Sequence, residues 1–244
     1  MTLQSNAYIP RDITLTGSGS WDKILKQNQQ RCFCEISDLT GTGDVIKTAF
    51  VDNPYSLSFV SANTDRVDLS ATLSSPNTLN DSTLGAVEIR AKIDTAAAAR
   101  TLFCVGDNDT DSYLELTITS VDKIQAALVI SGVTQWDMVT DSAVTEGQWY
   151  TILLKMKKVN PSTSAQAQIF VNGGAWANSF TTSTDKTKWI ADIPAPDFVT
   201  VGARKKDGAT DQYLDGDVDY VKIKNYDDDK WCGDFNFDEG TGSD

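Results

Sequence analysis

The chain has 244 residues, 40% of them hydrophobic, with 21 basic and 34 acidic side chains, no histidine and a formal net charge of −13. Without histidine there is no imidazole acid–base catalysis, no Ser-His or Cys-His nucleophile pair and no histidine-ligated zinc. The acidic balance argues against nucleic acid and anionic membranes as partners, and no apolar run is long enough to read as a membrane-spanning helix.

Residues 1–50 are weakly patterned and read as an N-terminal arm that joins subunits, or as a subsidiary β segment. Residues 1–11 are polar, with no apolar stretch of the kind a secretory signal needs. Residues 21–30, preceded by Ser18-Gly-Ser20, predict one short helix. Cys32 and Cys34 are one residue too close for the usual redox or zinc pair.

Residues 51–226 are regular. Val87, Ile89, Ala91 and Ile93 alternate with Glu88, Arg90 and Lys92, and Leu114, Leu116 and Ile118 with Glu115 and Thr117. Ile124, Ala126, Leu128 and Ile130 continue the period, followed by Tyr150, Ile152, Leu154 and Met156, then Ala167, Ile169 and Val171, then Val199 and Val201. Such alternation means strands with one buried face. Turn signals separate the strands: Asp107-Asn-Asp-Thr-Asp111, Glu146-Gly147, Asn160-Pro-Ser162, Lys206-Asp-Gly208 and, most strongly, the hairpin pair Asn172-Gly173. Many short strands without long helices between them predict antiparallel sheets packed as a β-sandwich. Cys104, inside Thr101-Leu-Phe-Cys-Val105, reads as a buried free thiol. Residues 227–244 are acidic and glycine-rich, a C-terminal tail whose Trp231, Phe235 and Phe237 are expected to dock.

Several segments in this stretch carry a resemblance. Tyr55-Ser-Leu-Ser-Phe59, Asn63-Thr-Asp65 and Val67-Asp-Leu69 come first, then Gly147-Gln-Trp-Tyr150, Ile169-Phe-Val-Asn-Gly173 and Phe198-Val-Thr-Val-Gly202. Tyr213-Leu-Asp-Gly-Asp-Val-Asp-Tyr-Val-Lys-Ile-Lys-Asn225 closes the series. In this order they resemble the strands of laminin-G-like domains in the concanavalin A-like lectin/glucanase superfamily. The resemblance implies an antiparallel jelly-roll sandwich. Glucanases of that superfamily carry a Glu-x-Asp-x-(x)-Glu strand, whereas Glu35, Glu88, Glu115, Glu146 and Glu239 are scattered here. Asp215-Gly-Asp217 matches a structural turn. The chain is therefore read as non-catalytic, with a divergent glycosidase as the enzyme alternative.

Two sites are expected. Asp219 shares the parity of Val221 and Ile223 and so should face inward, where a carboxylate needs a partner. Calcium held with Asn63 and Asp65 is one remedy, as in relatives of the fold, and backbone amides of a nearby turn are the other. The Asp107–Asp111 run is a second calcium candidate, otherwise an exposed polar turn. For ligands, Trp176 and Trp189 with Asp137 suit a sugar-stacking platform. The competing reading has these tryptophans closing the ends of the sandwich, with Trp149 in the core. The expected function is a structural or attachment module of a virion, most plausibly a phage, bound through its arms to other virion proteins or its own copies and touching surface polysaccharide. The alternative is a cellular carbohydrate-binding module, secreted or at the cell surface.

Overall fold

The computed structural model describes residues 56–70, 84–95, 97–158, 165–206, 208–225 and 230–237, and three short strands before them. The chain divides into two compact units, residues 1–54 and 55–244. In the first, β1 (Asp12–Thr14), β2 (Phe33–Glu35) and β3 (Val45–Ala49) form an antiparallel sheet in the order β1-β3-β2. The helix expected over 21–30 lies outside the described residues.

The second unit is built from strands. In chain order they are β4 (Leu57–Phe59), β5 (Val67–Asp68), β6 (Gly85–Ile93), β7 (Arg100–Asp107), β8 (Ser112–Ile118), β9 (Lys123–Ile130), β10 (Val133–Ala143) and β11 (Trp149–Lys158). Then come β12 (Ala165–Val171), β13 (Gly174–Ala175), β14 (Asn178–Ser183), β15 (Phe198–Val201), β16 (Arg204–Lys206), β17 (Ala209–Asp211), β18 (Gly216–Asn225) and β19 (Lys230–Asn236). The first large sheet runs β14-β10-β9-β8-β7-β15-β5, and the second runs β13-β12-β11-β6-β18-β19, with β4 also paired to β18. All pairings within both sheets are antiparallel.

The inward sets are the alternating apolar residues. Val87, Ile89, Ile152, Leu154, Ile169 and Val221 of the second sheet meet Leu114, Leu116, Ile124, Leu128 and Val199 of the first in one continuous core. Each fully buried aliphatic side chain of this kind contributes roughly 1.5–3 kcal/mol. Asn172 and Gly173 take positive φ values of 50° and 79°, the paired left-handed turn their sequence predicts for the β12–β13 hairpin. Gly202 also has positive φ, and a Cβ there would collide with the Phe59 ring, so this position requires glycine twice over.

At the C-terminus the docking expected of the tail's aromatics takes the form of a strand: residues 230–236 form β19, paired with β18 from Asn225↔Lys230 to Tyr220↔Asn236. Phe235 and Phe237 pack partly buried against the core. Apolar burial thus recruits a segment whose acidic composition suggested a tail.

Candidate functional site

The alternation that sends Leu114, Leu116 and Ile118 into the core sends Tyr113, Glu115 and Thr117 to the outer face of the first sheet. Register places Cys104, Glu115, Ala127 and Asp137 in one row on that face, each directly opposite the next on β7, β8, β9 and β10. Tyr113, Val129 and Phe198 pack around Cys104 as a small apolar cluster beside the row.

The β16–β17 hairpin covers part of this face. The Cys104 thiol donates to the Lys205 carbonyl at 3.7 Å. Lys205 Nζ lies 5.2 Å from the Phe198 ring centroid, and Lys206 Nζ 5.4 Å from that of Tyr113 and 3.4 Å from Asp111 Oδ1. Arg204 grips Asp211 with a two-pronged contact: Nε donates to Oδ1 at 2.8 Å and Nη2 to Oδ2 at 2.7 Å. The amide orientation of Gln212 that satisfies its neighbours has its nitrogen donating to Thr101 Oγ1 at 3.1 Å. Its oxygen then accepts from Arg204 Nη1 and Nη2 at 3.1 and 3.2 Å.

Two acids in this surround keep a buried oxygen outside any hydrogen bond among the described residues: Asp111 Oδ1, which still has Lys206 beside it, and Glu115 Oε2. The Glu115 side chain is only 12% exposed, and Arg204 Nη1 stands 3.7 Å from Oε2, close enough for attraction but too far for a hydrogen bond. Oε2 is buried without a hydrogen-bond partner among the described residues. Burial pushes the Glu115 carboxyl up to about 7; Arg204 draws it down, and Asp137 and Asp211 push it further up. The Tyr113 phenol is raised too, first by burial and then by Glu115. Across the row, Gln125 Nε2 donates to Asp137 Oδ1 at 2.8 Å. Ala127, itself only 6% exposed, is the short residue between Glu115 and Asp137, so the face sets two carboxyl groups either side of a small side chain, beside one rigidly held guanidinium. Such a patch can receive hydroxyl and amide donors.

The residues singled out from sequence fall elsewhere. Trp189 is not a platform: it is 1% exposed and stacks on Trp136, ring centroids 6.4 Å apart and planes 11° from parallel. Trp136 Nε1 donates to the Lys188 carbonyl at 2.9 Å, so the pair closes one end of the core, the competing reading of these tryptophans. Trp176 is partly buried against the core and meets Tyr150 edge-on, at 6.3 Å and 77°. Asp137 does lie on the candidate face, but on the first sheet, whereas Trp176 follows β13 of the second. Trp149, expected in the core, is half-buried on the outer face of the second sheet, with the Arg90 guanidinium carbon 4.8 Å from its ring centroid.

The calcium trio is not assembled. A β-bulge between Val218 and Tyr220 inserts Asp219 as an extra residue, which breaks the parity assumed from Val221 and Ile223. Asp219 pairs with Arg90 Nη1 at 2.7 Å, and Arg90 belongs to the outer set of β6. Asp65 accepts from the Val60 amide at 2.9 Å, and the Asn63 amide donates to the Val60 carbonyl. Asp107, in the other acidic run, is buried and accepts from the Asp109 amide and the Thr110 hydroxyl within its own turn. Among the described residues no group of three or more Cys, Asp or Glu side chains is placed to hold a metal.

Comparison with solved structures places this architecture among known sandwiches. It is similar to the CBM40 of the Ruminococcus gnavus IT-sialidase, with TM-score 0.55 and 22% identity over 75% of this chain and 92% of that one. The fold is an antiparallel jelly-roll β-sandwich. The same R. gnavus module bound to α2,3-sialyllactose aligns at TM-score 0.54 and 22% identity, over 69% of this chain and 86% of that one. Two whole sialidases also contain a sandwich similar to this one. The NanB sialidase of Streptococcus pneumoniae gives TM-score 0.54 at 16% identity, over 71% of this chain and 26% of that one. The leech intramolecular trans-sialidase gives 0.53 at 19%, over 78% and 29%. No family model and no curated protein matches the sequence.

Sequence reasoning put Glu115 on the polar side of β8 but passed over it, and it did not single out Arg204, Tyr113 or Gln125. The usable signal was Tyr113-Leu-Glu-Leu-Thr117, which sets an aromatic, an acid and a hydroxyl on one face. Arg204-Lys-Lys206 and Asp211-Gln212 flank the turn that brings a charged hairpin near them.

Proposed function

We propose that the lectin-like sandwich is a non-catalytic carbohydrate-binding module whose sugar site is the outer face of the first sheet, around Glu115, Arg204, Gln125 and Asp137. The observation that carries the reading is Glu115: a nearly buried carboxyl with an oxygen that no group among the described residues hydrogen-bonds, beside a guanidinium fixed by Asp211 and Gln212. An unmade buried hydrogen bond is costly, and a ligand hydroxyl makes it. Sialidase modules among the structural neighbours, one of them solved with sialyllactose, favour a sugar ligand over the virion role expected first from the sequence.

The test is a glycan array probed with the full chain, repeated with Arg204→Ala and Glu115→Ala. Retention on a defined set of glycans is expected, with affinity falling at least about tenfold in Glu115→Ala, as loss of a charge-assisted contact implies, and falling less in Arg204→Ala, which removes the group held beside that carboxyl. A folded chain that is retained on no glycan removes the reading.

A further inference from the structure

The charges acting on the Glu115 carboxyl are Arg204 and Lys206, which favour its ionised form, and Asp137 and Asp211, which oppose it. The two signs balance, so ionising Glu115 leaves this patch with one uncompensated negative charge. Nor is either cation available to a ligand anion. Arg204 has four of its five N–H groups engaged by Asp211 and Gln212, and the remaining Nη1 side leans toward Glu115. Lys206 stands between Asp111 and the Tyr113 ring. What the face lacks is donors: among the described residues Glu115 Oε2 is orphaned, and Asp137 accepts from a side-chain amide, Gln125.

We propose that this face takes a neutral sugar through its hydroxyl groups and discriminates against carboxylated sugars, an inference that rests on the carbohydrate-binding reading above. The row geometry supplies the mode. Glu115 and Asp137 sit two strands apart, with Ala127 between them, so their Cα atoms are separated by about 10 Å at the usual strand spacing. A pyranose ring lying over Ala127 presents hydroxyls to both sides at once. A ligand carboxylate in the same place meets two acceptors and a guanidinium already neutralised by Asp211. Specificity here comes from a repulsive element as much as from an attractive one.

Calorimetric titration of the full chain with lactose, N-acetyllactosamine and both 3′- and 6′-sialyllactose at pH 7.5 tests this. The neutral sugars should bind at least about fivefold tighter than their sialylated counterparts, the size expected for one unfavourable charge contact near a surface. Asp211→Asn, which frees one prong of the Arg204 fork, and Glu115→Gln, which removes the excess charge, should each shift the ratio toward sialyllactose. Sialyllactose binding tighter than lactose overturns the inference and leaves the carbohydrate reading standing. Ratios unmoved in both folded variants overturn it too. Failure of every sugar, neutral and acidic, defeats the carbohydrate reading itself.

Discussion

The outer faces of the two sheets obey the same alternation and reach opposite outcomes. On the second sheet the polar residues satisfy one another. Arg90 pairs with Asp219 and covers Trp149, Lys92 pairs with Asp217, and the Tyr220 hydroxyl donates to Glu88 at 3.0 Å. On the first sheet Glu115 sinks beneath the β16–β17 hairpin with its oxygen unserved, and burial alone outweighs the nearby Arg204. A face whose charges close on themselves is a stable surface. A face that keeps a desolvated carboxyl without a donor retains an unfavourable term that a ligand can relieve.

The largest expected effect comes from removing the scaffold both faces share. Trp189→Ala should cost about 3–5 kcal/mol, as for other fully buried aromatic truncations, seen as a large drop in urea midpoint. Binding measured on the residual folded fraction should keep its affinity. A loss of affinity with the midpoint unchanged would return Trp189 to the sugar platform that its burial against Trp136 denies.

Next in size is the pH dependence of Glu115. Its folded carboxyl titrates at about 7 against an ordinary 4.5, so between those values the folded chain holds a proton that the unfolded chain has released. Stability from this group therefore falls as pH rises from about 4.5 through 7 and is flat above, a loss on the order of 3 kcal/mol. Glu115→Gln should abolish that slope and leave the variant more stable than the parent at pH 8. Urea unfolding at pH 5 and pH 8 for both proteins checks the sign. On the opposite face Asp219→Ala should destabilise at both pH values by about 1–3 kcal/mol, because it removes the ion pair made with the largely buried Arg90 guanidinium. Equal responses from the two acids would erase the contrast between the faces.

Much of the sandwich was legible in the sequence, because period-two alternation is imposed by burial alone. Val87 to Ile93, Leu114 to Ile118 and Ile152 to Met156 alternate in the structure as in the string, and Asn172-Gly173 turns where it should. Cys104 is a buried free thiol as read, its proton held by burial. The site was not legible, because each of its parts depends on a tertiary event. A single inserted residue in β18 turned Asp219 outward, where parity counting sent it inward. Glu115 lies on the side that alternation calls solvent, and only a hairpin from 90 residues further along the chain makes it a desolvated acid. Trp189 looked like a loop aromatic because a stretch of 3-10 turn, Ile190–Asp192, carries it into the core between elements of no regular period.

The smallest expected effect separates anchoring from stability. Asp211 is half-exposed, its side chain 53% accessible, so its two-pronged hold on Arg204 is screened by water. Asp211→Ala should therefore change the urea midpoint by less than about 1 kcal/mol equivalent. Its consequence lies in orientation, since without Asp211 the guanidinium keeps Gln212 and is drawn toward Glu115. That new pairing favours the ionised carboxyl and should lower its titration, measured by carboxyl carbon NMR shifts of Glu115 against pH. The parent titrates near 7 and the variant below it. An unchanged midpoint for the carboxyl would mean that the hairpin, and not Asp211, sets the distance between Arg204 and Glu115. The unserved oxygen would then be a fixed property of the backbone rather than of one exposed ion pair.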